Sequence, residues 1–441
     1  MTRGRKAKAK ASAAISGAIL TAALFGGGKP AMAEIPLVEH DGWRLSTDGR
    51  VNTFISVAQG KGLPEGQQEN LGAGTADIAT STGDLHSTRI RGGFIMSILG
   101  FTGYKEISPN FKVTTRVALW MNITGSRTKN NSGGVDPREL YGKIEGGWGS
   151  FLAGSHLSLF GRGGILVDAD IAHGYGLGYP CAIKDAGGGA CGMVGFGAPF
   201  PGFDPGFVYA TPSFGGLQLS VGIYDPATNG NAQLNRAPLP RVEGELKFDF
   251  KDRVRVFASG FWQALEGTSV AGKNLAVTTW GVQAGGMLAF GPVMLGGAAF
   301  KGNGFSPLSY IEESVLTADS LGVLRGADGG FGLGAVRIDS LKLKIAGGAG
   351  VFNMHKNIDD SGAMTPTGAP ANPALIKQNL GVTVGLYKQA GPVHLALEYF
   401  RAQHTWHDRG VGTAADPNVF DHAVTPQQVV NFINAGMTIA W

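Results

Sequence analysis

The chain has 441 residues, 72 of them glycine, with 43% hydrophobic and only 16% charged residues and a formal charge of +4. No run is apolar over the ~20 residues that a membrane-spanning helix needs, and two cysteines are too few for a thiolate metal centre. Nor does the basic excess signal nucleic-acid binding. Arg3, Arg5, Lys6, Lys8, Lys10 and Lys29 are six of the 37 basic residues, and the first 33 positions hold no acid, so the remainder carries 31 basic against 33 acidic residues.

Those first positions read as a secretory signal peptide: a basic MTRGRKAKAK, a short apolar Ala11 to Phe25, and a small-residue site at Ala31-Met32-Ala33. The domain plan is therefore residues 1–33 as leader and 34–441 as one unit starting at Glu34. In an exported chain, Cys181 and Cys191 read as one disulfide.

From Trp43 onward the chain alternates with period two, the strand signal. Leu45, Val51, Thr53, Ile55 and Val57 share one face, and Arg44, Ser46, Asp48, Arg50 and Asn52 the other. The second strand sets Ile90, Gly92, Phe94, Met96 and Ile98 against Arg89 and Arg91. The third sets Val113, Val117 and Leu119 against Lys112, Thr114 and Arg116. The same pattern runs through Arg138 to Glu145, Ser150 to His156, Phe207 to Thr211, Leu217 to Tyr224 and on to Val430 to Trp441, about sixteen strands in all. In the hairpin after Arg241, Phe250 and Val254 both belong to the apolar face. The turn is then Lys251, Asp252 and Arg253, with Asp249 opposite Arg255 and Phe248 opposite Val256.

Alternation nearly from end to end argues against a soluble sandwich, which would show no heat-modifiable migration on a gel, and short turns (Gly291-Pro292, Gly391-Pro392) alternate with long polar connections. That is the pattern of an all-β transmembrane antiparallel β-barrel of about 16 strands. Trp43, Tyr104, Trp120, Trp148, Trp262, Trp280 and Tyr399 are candidate interfacial aromatics. One connection stands apart. Gly154 to Phe207 carries aromatic and aliphatic residues and both cysteines, and a connection this long is usually functional. It is expected to fold into the lumen over about residues 157–206, as the third long loop.

The last eight residues, Asn434-Ala435-Gly436-Met437-Thr438-Ile439-Ala440-Trp441, resemble the C-terminal signal of outer-membrane barrels, with Asn434, Gly436, Ile439 and Trp441 at its marked positions. Together with Arg138-Glu139-Leu140-Tyr141-Gly142-Lys143-Ile144-Glu145-Gly146-Gly147-Trp148-Gly149-Ser150 and Tyr209-Ala210-Thr211-Pro212-Ser213-Phe214-Gly215-Gly216-Leu217, this looks like a Gram-negative general porin. The resemblance implies an outer-membrane homotrimer in contact with lipid, inserted by the barrel assembly machinery and passing small polar solutes and ions. It implies neither a cofactor nor a nucleic-acid partner. It also implies a constriction in which acids on the inward loop face arginines on the wall. The candidates are Asp168 and Asp170, with Asp185 or Lys184 as replacements, opposite Arg50, Arg89, Arg91 and Arg116, and with Arg138 on the same wall.

Lys342 and Lys344 add lumen positives, whereas the charges from Arg241 to Arg255 largely pair with one another, so weak anion preference is expected. A substrate-selective porin for sugars or for phosphate and other anions is the alternative, followed by a barrel enzyme or adhesin. Ser155, His156 and Ser158 lack a third group to orient a base. His404 and His407 with Asp408 read as an exposed loop pair rather than a metal site.

Overall fold

The computed structural model describes residues 34–62, 64, 84–121, 135–181, 190–226, 234–251, 253–268, 274–304, 323–356, 376–407, 409–412 and 420–441. Residues 1–33, expected to be the leader, and Lys184, Asp185, Asp252 and Asp408 lie outside them. The chain runs as β1 (Ile35–His40), β2 (Trp43–Lys61), β3 (Asp84–Arg91), β4 (Ser97–Ser108), β5 (Phe111–Met121), β6 (Val135–Gly146) and β7 (Gly149–Leu157). Helix α1 (Arg162–Ile171) and a 3-10 turn (His173–Tyr175) come next, then β8 (Phe203–Ala210), β9 (Leu217–Tyr224), β10 (Arg241–Phe250), β11 (Val254–Thr268) and β12 (Asn274–Phe290). Strands β13 (Val293–Asn303), β14 (Gly326–Ile338), β15 (Leu343–Met354), β16 (Ile376–Ala390), β17 (Val393–Trp406) and β20 (Gln427–Ala440) complete the sheet. β18 (Arg409–Gly412) and β19 (Phe420–Val424) pair as a separate ribbon.

Every sheet neighbour is antiparallel and β20 returns to β2, so the sheet closes. It has sixteen staves, because two of them are built from two strands each. β3 and β4 both pair with β2, one beyond the other. β1 pairs with residues 43–47 of β2 and β20 with residues 50–60, so the two lie end to end along one edge. At that seam Gly49 and Trp441 exchange backbone hydrogen bonds at 3.0 Å each.

Period two holds because one face meets lipid and the other the interior. Val51, Ile55 and Val57 are exposed on the outer surface while Asp48, Arg50 and Asn52 are buried inside. The β10–β11 register is the predicted one, with Phe248 opposite Val256, Asp249 opposite Arg255 and Phe250 opposite Val254. The Arg255 Nε to Asp249 Oδ1 bond at 3.2 Å follows from it. Trp43, Trp148, Trp262, Trp280 and Tyr399 are outward-facing, and Trp262 sits directly opposite Trp280. Trp120 is not an interfacial residue; it is buried on the inner face.

Alternation fails at several points among the described residues, and three of them bear on the lumen. Residues 51–53 of β2 are spanned by residues 92–97 on the second stave, and this three-residue excess inverts parity. Met96 and Ile98, expected toward lipid, are therefore buried inside, and Phe94 packs with them. The Asn52 side chain holds the break, accepting from Gly93 N at 2.7 Å and donating to the Ile95 carbonyl at 2.7 Å. In β6, Glu139 faces Ala118 and Asp136 faces Trp120, so Pro137 and Arg138 together oppose Leu119. Before β15, Lys342 has φ 47 and closes a 3-10 turn at Asp339–Leu341. It is exposed at a rim turn and supplies no lumen charge.

Candidate functional site

Residues 158–202, between the fifth and sixth staves, are buried almost throughout where described. Their apolar side chains, among them Val167, Ile171, Leu177, Tyr179, Met193 and Phe196, form one cluster with inner-face residues from β2, β3, β11, β13 to β17 and β20. Glycine on those strands makes the approach possible. A Cβ on Gly296 would stand 2.8 Å from Ile171 Cδ1 and 2.9 Å from Val167 Cγ1. The disulfide joins Cys181 to Cys191, Cα atoms 5.7 Å apart, inside this cluster.

Polar groups on the wall then fix the segment's backbone. Glu398 accepts from Leu177 N at 2.8 Å, Gly178 N at 3.1 Å and the Tyr387 hydroxyl at 2.7 Å. Asn434 Nδ2 donates to the Gly178 carbonyl at 2.9 Å, Asn379 Nδ2 to the Gly195 carbonyl at 3.2 Å, and Phe94 N to the Gly176 carbonyl at 2.9 Å. Sequence reasoning missed Glu398 as an anchor. Its only signal is an acid at an inner-face position of β17, on the face opposite to Arg401.

The expected facing of loop acids and wall arginines is not what forms. Asp168 bonds His173 Nδ1 at 2.6 Å and accepts from Met193 N at 2.8 Å, while His173 Nε2 lies 3.1 Å from the Thr383 hydroxyl. All of this is buried, so Asp168 faces its own segment rather than the arginines. Burial is the largest influence on His173 and alone would lower its pKa. The Asp168 charge and hydrogen bond, helped by Glu398, outweigh burial and a smaller push from Lys344, and raise it above the ordinary 6.5.

Asp170 does cross to the wall, but to Arg255 on β11 at 2.7 Å. The Arg241 to Arg255 hairpin therefore does not pair only with itself, since Arg162 also binds Glu245 and Arg241 binds Asp204. Among the predicted arginines, Arg50 reaches the segment. Its Nη1 donates to the Gly174 carbonyl at 2.8 Å and its guanidinium lies 5.1 Å over the Tyr175 ring. Arg116 is held instead by Asp48 (2.7 Å) and Glu139 (2.5 Å) on the wall. Arg89 and Arg91 point inward on β3, with Arg91 buried. Of Lys342 and Lys344 it is Lys344 that reaches the lumen, its Nζ donating to the Asp170 carbonyl at 3.2 Å.

The segment leaves open the other side of the lumen. There lies a cavity of about 230 Å³, walled on one side by Phe94, Ile165, Leu166 and Phe200 and on the other by β5 to β11. Its charged lining pairs Lys143 with Glu145 at 2.8 Å, Lys247 with Asp249 at 3.0 Å, Arg162 with Glu245, and Arg255 with Asp170 and Asp249. Arg138, re-aimed inward by the β6 bulge, lines the same cavity.

Two other readings meet the geometry. His404 and His407 are buried rather than exposed, with His404 Nδ1 2.8 Å from Asn379 Oδ1, and among the described residues no three ligands gather for a metal. Ser155 Oγ donates to the Arg138 carbonyl at 3.1 Å, whereas His156 Nε2 meets the Tyr224 hydroxyl at 3.3 Å, so the two side chains serve different partners. The terminal stretch divides by face. Asn434 points inward to the segment, Ile439 outward to lipid, Gly436 takes the Phe54 ring against its backbone, and Trp441 packs on Gly49.

Comparison with known proteins places this arrangement. A model of the Gram-negative porin family matches residues 18–346. Curated proteins gave no significant match in sequence. Among solved structures, the outer membrane channel DcaP of Acinetobacter baumannii is similar, with a TM-score of 0.60 at 14% identity over 91% of this chain and 99% of that one. The anion-selective porin from Comamonas acidovorans has a TM-score of 0.57 at 12% identity, covering 90% and 100%. OmpF of Salmonella typhi, in complex with daunomycin, has 0.53 at 11%, covering 92% and 99%. A closed sixteen-stave barrel with a cavity in its lumen and a family match over most of its length identifies the chain as a member of the Gram-negative porin family, a channel of the outer membrane.

Proposed function

We propose that the channel passes small polar solutes and ions passively, through the space between residues 158–202 and the β5 to β11 wall, with no chemical step. The observation that carries this is the cavity itself, whose lining is charged on one side and bounded on the other by a segment anchored at many points. Arg50, by holding Gly174, and Asp170, through Arg255, set the segment's position and hence the width of the passage. Arg89, Arg91 and Arg116 act on passing ions through their field, and Asp168 acts only by shaping the segment.

The lining holds five cations (Arg138, Lys143, Arg162, Lys247, Arg255) against four carboxylates (Glu139, Glu145, Glu245, Asp249), which supports a weak anion preference. The expected result is a small anion-selective reversal potential in a KCl gradient across a planar bilayer. Clear cation selectivity would overturn the preference. The family resemblance carries the trimer and reading of Asn434 to Trp441 by the assembly machinery as parts of the same proposal, and closure of the current in three equal steps is the trimer's signature.

A further inference from the structure

All five cations that line the cavity have a carboxylate beside them, but of the three arginines Arg162 and Arg255 are each held by two carboxylate contacts and Arg138 by one. Arg138 is different. Its Nε donates to Asp136 at 2.7 Å, a carboxylate that is 44% exposed, and among the described residues neither terminal nitrogen has a hydrogen-bond partner. The guanidinium instead lies 5.3 Å over the Trp120 ring and 5.5 Å over Phe203, whose ring centroids are 5.1 Å apart. Its exposure is only 11%. An arginine held against two aromatic faces keeps its planar donor fork in order and partly free of water, the state in which a carboxylate binds it best.

The surfaces next to that fork are apolar. Phe94 and Ile95, turned inward by the break in the second stave, Leu166 of α1 and Phe200 line the same cavity as Trp120 and Phe203. A fully hydrated inorganic ion makes no use of these faces. A flat apolar body does, and at about 230 Å³ the space holds one ring with its substituent.

Resting on the reading of this lumen as the channel, we propose that it contains a binding site for organic anions that join a single carboxylate to an aromatic body. The carboxylate pairs with Arg138 and the ring lies against Trp120, Phe203 and the segment's apolar side. Passage of this class is then saturable, whereas small inorganic ions pass without binding.

The test uses the purified full chain in planar bilayers, measuring KCl current while benzoate, acetate or benzyl alcohol is titrated in. The expected result is a saturable partial block by benzoate, with a half-blocking concentration at least about tenfold below that of acetate, which lacks the ring, and of benzyl alcohol, which lacks the charge. Arg138→Gln should raise the benzoate value about tenfold and Trp120→Leu should narrow the gap between benzoate and acetate. Arg138→Lys should fall between wild type and Arg138→Gln, because it keeps the charge and loses the fork. If either variant fails to form barrels, flux of benzoate against acetate into vesicles carrying the unaltered protein decides, saturation of benzoate flux alone being the supporting outcome. Equal block by benzoate and acetate within twofold, or an Arg138→Gln value unchanged from wild type, would overturn the proposal while leaving the channel intact. Absence of any KCl current would instead overturn the channel reading, and this site with it.

Discussion

Asp168, His173 and Thr383 have the spacing of a relay of acid, imidazole and hydroxyl, but all three are sealed from solvent, which makes the group a strut. A charge-assisted hydrogen bond of this kind contributes about 1.5–3 kcal/mol net. Because the folded-state pKa of His173 lies above 6.5, its contribution is fully present below pH 6.5 and is lost as pH rises through the raised value. The heat needed to convert folded barrel to the slower-migrating form on a gel should therefore fall as pH is raised from 6 through that range. His173→Gln should flatten this dependence and lower the conversion temperature below pH 6.5. An unchanged profile in the variant would show that His173 is not the titrating group. Nothing local in His173-Gly174-Tyr175 marks this role, since the partner Thr383 comes from β16.

At the scale of the element, the bulge in β6 decides more than the strand around it. Tyr141 and Glu139 face inward, so strict alternation would send Arg138 into lipid, and the extra residue returns it to the lumen. Pro137 fits there because it lacks the donor that a regular ladder position needs. Deleting it should place Arg138 opposite Leu119 on the outer face, at a cost of about 0–1 kcal/mol near the interface and ~2–4 kcal/mol at the midplane. The expected readout is a lower conversion temperature together with loss of benzoate discrimination.

The same element shows why the sequence was legible to different depths. Period two is a contrast between lipid and interior, written into every stave, so strand number, the Asp249–Arg255 register and the inward placing of Arg50 and Arg116 could all be read. The three-residue excess before β4 inverts parity without changing composition, which puts Met96 and Ile98 on the inner face against expectation. For the one-residue bulge in β6, Pro137 inside a strand was the available signal. The partners of Asp168 and Asp170 depend on how α1 sits in the lumen, and its Gly163-Gly164 start gives little periodicity to read.

At the scale of the whole molecule, two groups of close-packed glycines matter for assembly. Those of the inner wall, such as Gly296, thin the surface on which the segment rests, while Gly49 thins the seam. A Cβ at Gly49 would stand 2.6 Å from both the Ile98 carbonyl oxygen and the Trp441 ring. Gly49→Val should therefore lower the yield of heat-modifiable barrel severalfold, and Gly49→Ala should lower it less. Equal yields would show that the seam tolerates bulk.

That seam has a consequence for biogenesis. One stave is shared between β1 and β20, which stand at opposite ends of the described residues. Until β20 is in place, β2 presents a row of unpaired backbone groups, and so does the far edge of β17. Closure is thus a completeness check. A product lacking the last strand cannot hide its edges, and its exposed hydrogen-bonding groups set it apart from a finished barrel.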